Sequence, residues 1–150
     1  MAGKDRPLLL IVDDDIAHRL MLATLFEEWG YRVEEAADGL AALDFIRSNP
    51  VDIILMDVRM PRMNGIEATK EIQRIDSDLP IIVMTAYSSL STGMEALNAG
   101  AFDYLTKPLD FDALRAVVDR ARECGRRDGE DGKAGRKSCG FRDGLHSVAL

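Results

Sequence analysis

Leu8-Leu9-Leu10-Ile11-Val12-Asp13-Asp14-Asp15 is an unbroken apolar run that stops abruptly on three acids. Such a run is short for a helix, which needs about 10–12 residues, and suits a strand covered on both faces. Three later stretches repeat the design. Ile53-Ile54-Leu55-Met56 stops on Asp57, Ile81-Ile82-Val83-Met84 on Thr85, and Asp103-Tyr104-Leu105-Thr106 on Lys107-Pro108. In open α/β sheets, ligands bind beyond the carboxyl ends of the strands, where strand order reverses. If these runs lie parallel in one sheet, three carboxylates, a hydroxyl and an ammonium meet at one end.

Helical spacing fills the gaps between the runs. Ile16, Leu20, Ala23 and Phe26 recur at intervals of three to four, widened by Leu22, Leu25 and Trp29, with Asp14 or Asp15 as N-cap and Gly30 as C-cap. Leu40, Leu43 and Ile46 mark a second helix, stopped by Asn49-Pro50. Ala68, Ile72 and Ile75 mark a third after Asn64-Gly65, and Leu90, Met94, Leu97 and Ala101 a fourth that breaks near Gly100. Phe111, Leu114, Val118 and Ala121 mark a fifth. The mixed segments Tyr31–Glu35 and Asp103–Thr106 suit sheet edges, and the apolar runs suit its interior. The expected fold is α/β, a flavodoxin-like doubly wound (βα)5 with a five-stranded parallel sheet of order 2-1-3-4-5. Its switch point falls between the first and third strands, the two that end in Asp13-Asp14 and Asp57.

Composition divides the 150 residues in two. Residues 1–124 hold 13 Lys+Arg against 22 Asp+Glu and carry all the periodicity, so they form the domain. Residues 125–150 hold 6 against 4 and are rich in Gly and charge, the signature of a disordered tail. The net charge of −7 argues against direct nucleic-acid binding. No stretch approaches the roughly 18 apolar residues of a membrane span, so a cytoplasmic location is expected. Cys124 and Cys139 fit no metal spacing and read as reduced thiols. His18 reads as solvent-facing, and Trp29 lies far from Asp57.

Carboxylates about 4 Å apart repel by about 4 kcal/mol per pair at an effective dielectric of 20. A cluster of three therefore raises its pKa values or takes up a cation, and Mg²⁺ suits an open all-oxygen site. Asp14 and Asp57 are the expected direct ligands, Asp13 a ligand directly or through water, while Asp15 serves better as a helix cap. Asp57 is the expected nucleophile toward phosphorus. Lys107 offers a point charge to a phosphoryl oxygen and Thr85 a hydroxyl, with small Ala86 leaving the mouth open.

Val12-Asp13-Asp14, Leu55-Met56-Asp57-Val58-Arg59-Met60-Pro61, Thr85-Ala86 and Lys107-Pro108 resemble the receiver domain of two-component response regulators, from about Leu8 to Cys124. The wording of 56–61 and of 98–109 is closest to receivers of the nitrogen-regulator, enhancer-binding activator type. The resemblance implies a phosphoacceptor switch: Asp57 takes phosphate from a sensor histidine kinase, and Asp13, Asp14 and the backbone carbonyl of Arg59 join it in holding Mg²⁺. It also implies a cis Lys107–Pro108 peptide and a switch pair, Thr85 and Tyr104. The readout is then the face of the fourth helix, fifth strand and fifth helix, with Leu90, Met94 and Tyr104 presented to an unknown partner, an output domain or a second copy in a phosphorylation-linked homodimer. Arg59 and Tyr87 flank the pocket and would limit water attack.

The two rival readings are a Mg²⁺-dependent phosphohydrolase and a DNA-binding regulator acting through the basic tail of residues 125–150. A Mg²⁺-dependent phosphohydrolase would need a general acid two residues beyond Asp57, where Arg59 stands; counted from Asp13, Asp15 does complete an Asp-x-Asp arrangement, but the chain is read as a regulatory domain and not an enzyme. A nucleotide loop of the G-x-x-x-x-G-K-[ST] type is absent, and 26 tail residues are too few for a helix-turn-helix domain. The chain is thus a stand-alone receiver or the N-terminal regulatory fragment of a DNA-binding transcription activator.

Overall fold

The three apolar runs are the three inner strands of one parallel sheet in a computed structural model, which describes residues 6–86 and 90–131, with side chains through Cys124. β1 (Leu8–Val12), β3 (Ile53–Asp57) and β4 (Ile81–Thr85) are buried along their whole length. β2 (Arg32–Ala36) and β5 (Asp103–Thr106) are partly exposed and form the edges. The order is β2-β1-β3-β4-β5, as the polarity of the runs predicts.

Alternation of side chains along each strand splits the core into two layers. Leu9, Ile11, Ile53, Leu55, Ile82 and Met84 point to one face, packed under α1 (Ile16–Glu28) and α5 (Phe111–Asp131). Leu10, Val12, Ile54, Met56, Ile81 and Val83 point to the other. There they meet α2 (Gly39–Ser48), α3 (Gly65–Ile75) and α4 (Leu90–Asn98). Truncating one such fully buried Leu or Ile to Ala costs about 2–5 kcal/mol, so strand positions are strongly held.

Two sequence expectations need correction. The buried stripe of α1 is Leu22, Ala23 and Phe26, whereas Ile16 is 63% and Leu20 56% exposed. At 100° per residue, Ile16 and Leu20 fall well away from the Leu22–Phe26 direction. Cys124 is buried on α5 and disulfide-bonded, not a reduced thiol. Cys139 lies outside the described residues. The helical backbone of α5 continues past residue 124 to Asp131, and most of the expected tail, 132–150, also lies outside them.

Candidate functional site

Strand register assembles the site. β1 pairs with β3 so that Val12 faces Met56, which brings the next residues, Asp13 and Asp57, level on adjacent strands. β3 pairs with β4 so that Asp57 faces Met84, one residue before Thr85, and Thr85 is level with Thr106 at the end of β5. Lys107 follows, its backbone N–H donating to the Thr85 carbonyl at 2.8 Å, and the Lys107–Pro108 peptide is cis.

The turn between β1 and α1 is organised by its acids. Asp15 is the N-cap of α1, accepting from the N–H groups of Ala17 and His18. Asp13 is fully buried. Its Oδ1 accepts from the Asp15 N–H at 2.9 Å, its Oδ2 lies 2.5 Å from His18 Nδ1, and its carbonyl accepts from Arg19 at 2.6 Å. Asp14 stays exposed. The caps thus place one carboxylate in and one out within two residues.

Asp57 is 6% exposed, with Lys107 Nζ 3.0 Å from its Oδ1 and 3.8 Å from Asp13 Oδ2. Burial raises the Asp57 pKa, the hydrogen bond from Lys107 opposes this, and the charge of Asp13 adds to the rise. Carboxylate oxygens of Asp13, Asp14 and Asp57 all lie within 4.8 Å of one another. This hard, all-oxygen donor set, open to solvent on the Asp14 side, fits a divalent cation of the Mg²⁺ type. Arg59 lines the same cleft as Asp14, together with Val58, Met60 and Asn64.

The start of α3 packs against the backbone that follows β3. Asn64 caps it in a reciprocal capping box with Glu67, and the Gly65 N–H donates to the Val58 carbonyl at 2.8 Å. A Cβ on Gly65 would sit 2.1 Å from the carbonyl oxygen of Asp57, so only glycine admits this approach. Nearby, Arg62 takes a positive φ of 69° and pairs with the buried Asp38, the N-cap of α2. That ion pair ties the β3–α3 loop to the start of α2.

The structure thus brings Asp13, Asp14, Asp57 and Lys107 together, with Thr85 buried at the adjoining strand end. It corrects the reading of His18 as solvent-facing, since the ring sits on Asp13. Gly65 and His18 are the site residues that sequence reasoning missed. The pairing of Gly65 with a strand-end backbone depends on loop geometry, and the partner of His18 depends on how the Asp13–Asp15 turn rotates. Tyr87 lies outside the described residues. Tyr104 is half-buried, its ring against Gly93 of α4.

A five-stranded 2-1-3-4-5 sheet with an acidic switch point and a lysine at the last strand end defines a receiver-type α/β domain. The response regulator receiver domain family matches residues 9–119, and the chain belongs to it. Over 113 residues the chain is 50% identical to the transcriptional regulatory protein ZraR of Klebsiella oxytoca, covering 75% of this chain and 26% of that protein. It therefore spans about a quarter of the length of that relative. NtrX of Brucella abortus, solved with ADP, superposes with a TM-score of 0.78 at 26% identity, over 83% of this chain and 29% of that one. These two likenesses bear out the nitrogen-regulator type of the motifs. The response regulator TrrA of Thermotoga maritima, solved in complex with Mg²⁺–BeF, superposes with a TM-score of 0.71 at 31% identity, over 77% of this chain and 98% of that one. Members of this family are regulatory domains, in keeping with the regulatory reading of the chain. No helix among the described residues is long and apolar enough to cross a membrane.

Proposed function

We propose that Asp57 is the phosphoacceptor of a two-component switch, charged by a sensor histidine kinase in the cytoplasm. The observation that carries the proposal is the convergence at one sheet end of a buried Asp57, Lys107 Nζ at 3.0 Å and two further carboxylates. Asp13, Asp14, Asp57 and the Arg59 carbonyl would hold Mg²⁺, which supplies positive charge to the transferring phosphoryl oxygens. An Asp57 carboxylate oxygen attacks phosphorus in line as the bond from phosphorus to the kinase's histidine nitrogen breaks, leaving the imidazole to take up a proton. Lys107 holds the entering phosphoryl group by one oxygen, and the Thr85 hydroxyl takes another.

The acyl phosphate carries about −1.5 to −2 charges where the ionised Asp57 carried one. Attraction of Thr85 and Lys107 toward that charge alters the packing of Tyr104, and the α4–β5–α5 face reports the change. Leu90 is 63% and Met94 42% exposed on that face, an apolar surface available to a partner, an output domain or a second phosphorylated copy. The likeness to a longer protein, of which the match covers 26%, supports the alternative that the chain is the N-terminal regulatory fragment of a DNA-binding activator, with residues 1–124 as the receiver. Direct nucleic-acid binding by the receiver itself is no part of the reading.

Intact mass after incubation with acetyl phosphate tests the proposal. One phosphoryl adduct is expected with Mg²⁺, none with EDTA, and none in Asp57→Asn. An adduct that persists in Asp57→Asn would move the acceptor elsewhere, and no adduct at any Mg²⁺ level would remove the switch.

A further inference from the structure

His18 touches the acidic cluster, yet the mechanism above gives it no role. Its ring stands on the first turn of α1, anchored by the cap: the His18 N–H donates to Asp15 Oδ1 at 3.3 Å. Nδ1 then reaches Asp13 Oδ2 at 2.5 Å, and only 20% of the side chain is exposed. The other oxygen of Asp13 is taken by the Asp15 N–H.

We infer that His18 is a positioning residue for phosphoryl transfer: by donating to Asp13, it leaves Lys107 to Asp57. The inference rests on Asp57 being the acceptor. One ammonium stands between two buried carboxylates, 3.0 Å from Asp57 and 3.8 Å from Asp13. Lysine is a flexible point donor, so it goes to whichever oxygen lacks a partner. With His18 in place, both Asp13 oxygens have donors, and the carboxylate is fixed in orientation. Each oxygen still has a second lone pair for metal or metal-bound water. Without His18, Asp13 Oδ2 is left buried and undonated, the carboxylate can rotate, and Lys107 is drawn from Asp57. Donors that orient a metal-binding carboxylate in this way are typically worth about 10–100-fold in metal affinity.

The test compares wild type, His18→Ala and His18→Asn, all as the full chain. Asparagine is chosen because its Nδ2 occupies nearly the position of the imidazole Nδ1. Calorimetric titration reads the Mg²⁺ Kd without any phosphodonor. Intact mass reads the phosphorylation rate from acetyl phosphate at saturating Mg²⁺, and a melt of the metal-free protein reports folding. His18→Ala is expected to weaken Mg²⁺ binding and slow phosphorylation by about tenfold each, with His18→Asn restoring most of both. If His18→Ala does not fold, His18→Asn decides alone, and near-wild-type values support the inference. Mg²⁺ binding that is unchanged or tighter in His18→Ala would overturn it, the latter making the imidazole a competitor of the cation. A loss in His18→Asn as large as in His18→Ala would also overturn it, because the donated hydrogen bond would then not be the cause. Wild type that forms no adduct would instead remove the acceptor reading and this inference with it.

Discussion

Burial sets Asp57 apart from the carboxylates around it. The uncharged form is favoured by desolvation; Lys107 opposes that preference and the charge of Asp13 reinforces it. Neutralising the side chain therefore relieves the metal-free fold even as it abolishes the acceptor. Asp57→Asn is expected to raise the thermal midpoint in EDTA by on the order of a few degrees. A lower midpoint would mean that the Lys107 pairing outweighs desolvation. Gly65 makes the opposite prediction. An added Cβ would meet the Asp57 carbonyl oxygen at 2.1 Å, and backbone cannot swing aside as a side chain can. Gly65→Ala should cost about 2–3 kcal/mol in urea melts, at the upper end of overpacking penalties, and slow phosphorylation by moving the acceptor. A neutral Gly65→Ala would show that α3 shifts freely. The carboxylates and Lys107 were legible in the sequence because each stands at the carboxyl end of a strand-length run. Gly65 and His18 were not, because their meaning lies in an atom contributed by another element or another turn.

Among the elements, strands read more faithfully than helices. A period of two leaves one choice of face, and both faces of β1, β3 and β4 are buried in any case. A helix with apolar residues on most of its surface offers several faces, which is why Ile16 and Leu20 of α1 belong to no core although their spacing is helical. α4 carries a different kind of information. Gly93 lies inside this helix, where glycine costs about 0.8–1.0 kcal/mol relative to alanine, so propensity alone predicts that Gly93→Ala stabilises. The ring of Tyr104 reverses the sign, since a Cβ on Gly93 would fall 2.3 Å from Tyr104 Cζ. Gly93→Ala is expected to destabilise by about 1 kcal/mol in the wild-type background, as overpacking exceeds the propensity gain. In a Tyr104→Ala background it should stabilise by about 0.5–1 kcal/mol. The coupling, about 2 kcal/mol, comes from a double-mutant cycle of urea midpoints, and equal effects in both backgrounds would mean that the ring does not rest on Gly93.

For the molecule as a whole, two aspartates with opposite shifts shape the dependence of stability on pH. Asp38 is held below the ordinary carboxylate range, first by the Ala41 N–H and then by Arg62. Its stabilisation is present at neutral pH and is lost as pH falls through its depressed pKa. Asp57 is raised, so the folded state holds its proton more tightly than the unfolded chain. Its contribution is full below the unfolded pKa and is lost as pH rises through the folded one. The general self-repulsion of a chain of net charge −7 acts on the same neutral side, so the wild-type profile alone cannot isolate Asp57. The difference between wild type and Asp57→Asn can. In EDTA, the gap between the two midpoints is expected to be small in acid and to widen toward pH 7 in favour of the variant. Mg²⁺ binds the folded, ionised cluster and not the unfolded chain, so at a hundred times its Kd it adds about 2.7 kcal/mol, on the order of 10 °C, to wild type at pH 7. The same addition in acid should do little, because protonated Asp57 offers the cation less charge. Parallel pH profiles for wild type and Asp57→Asn would place the titrating group elsewhere. A magnesium effect equal in acid and at neutrality would place the cation away from Asp57.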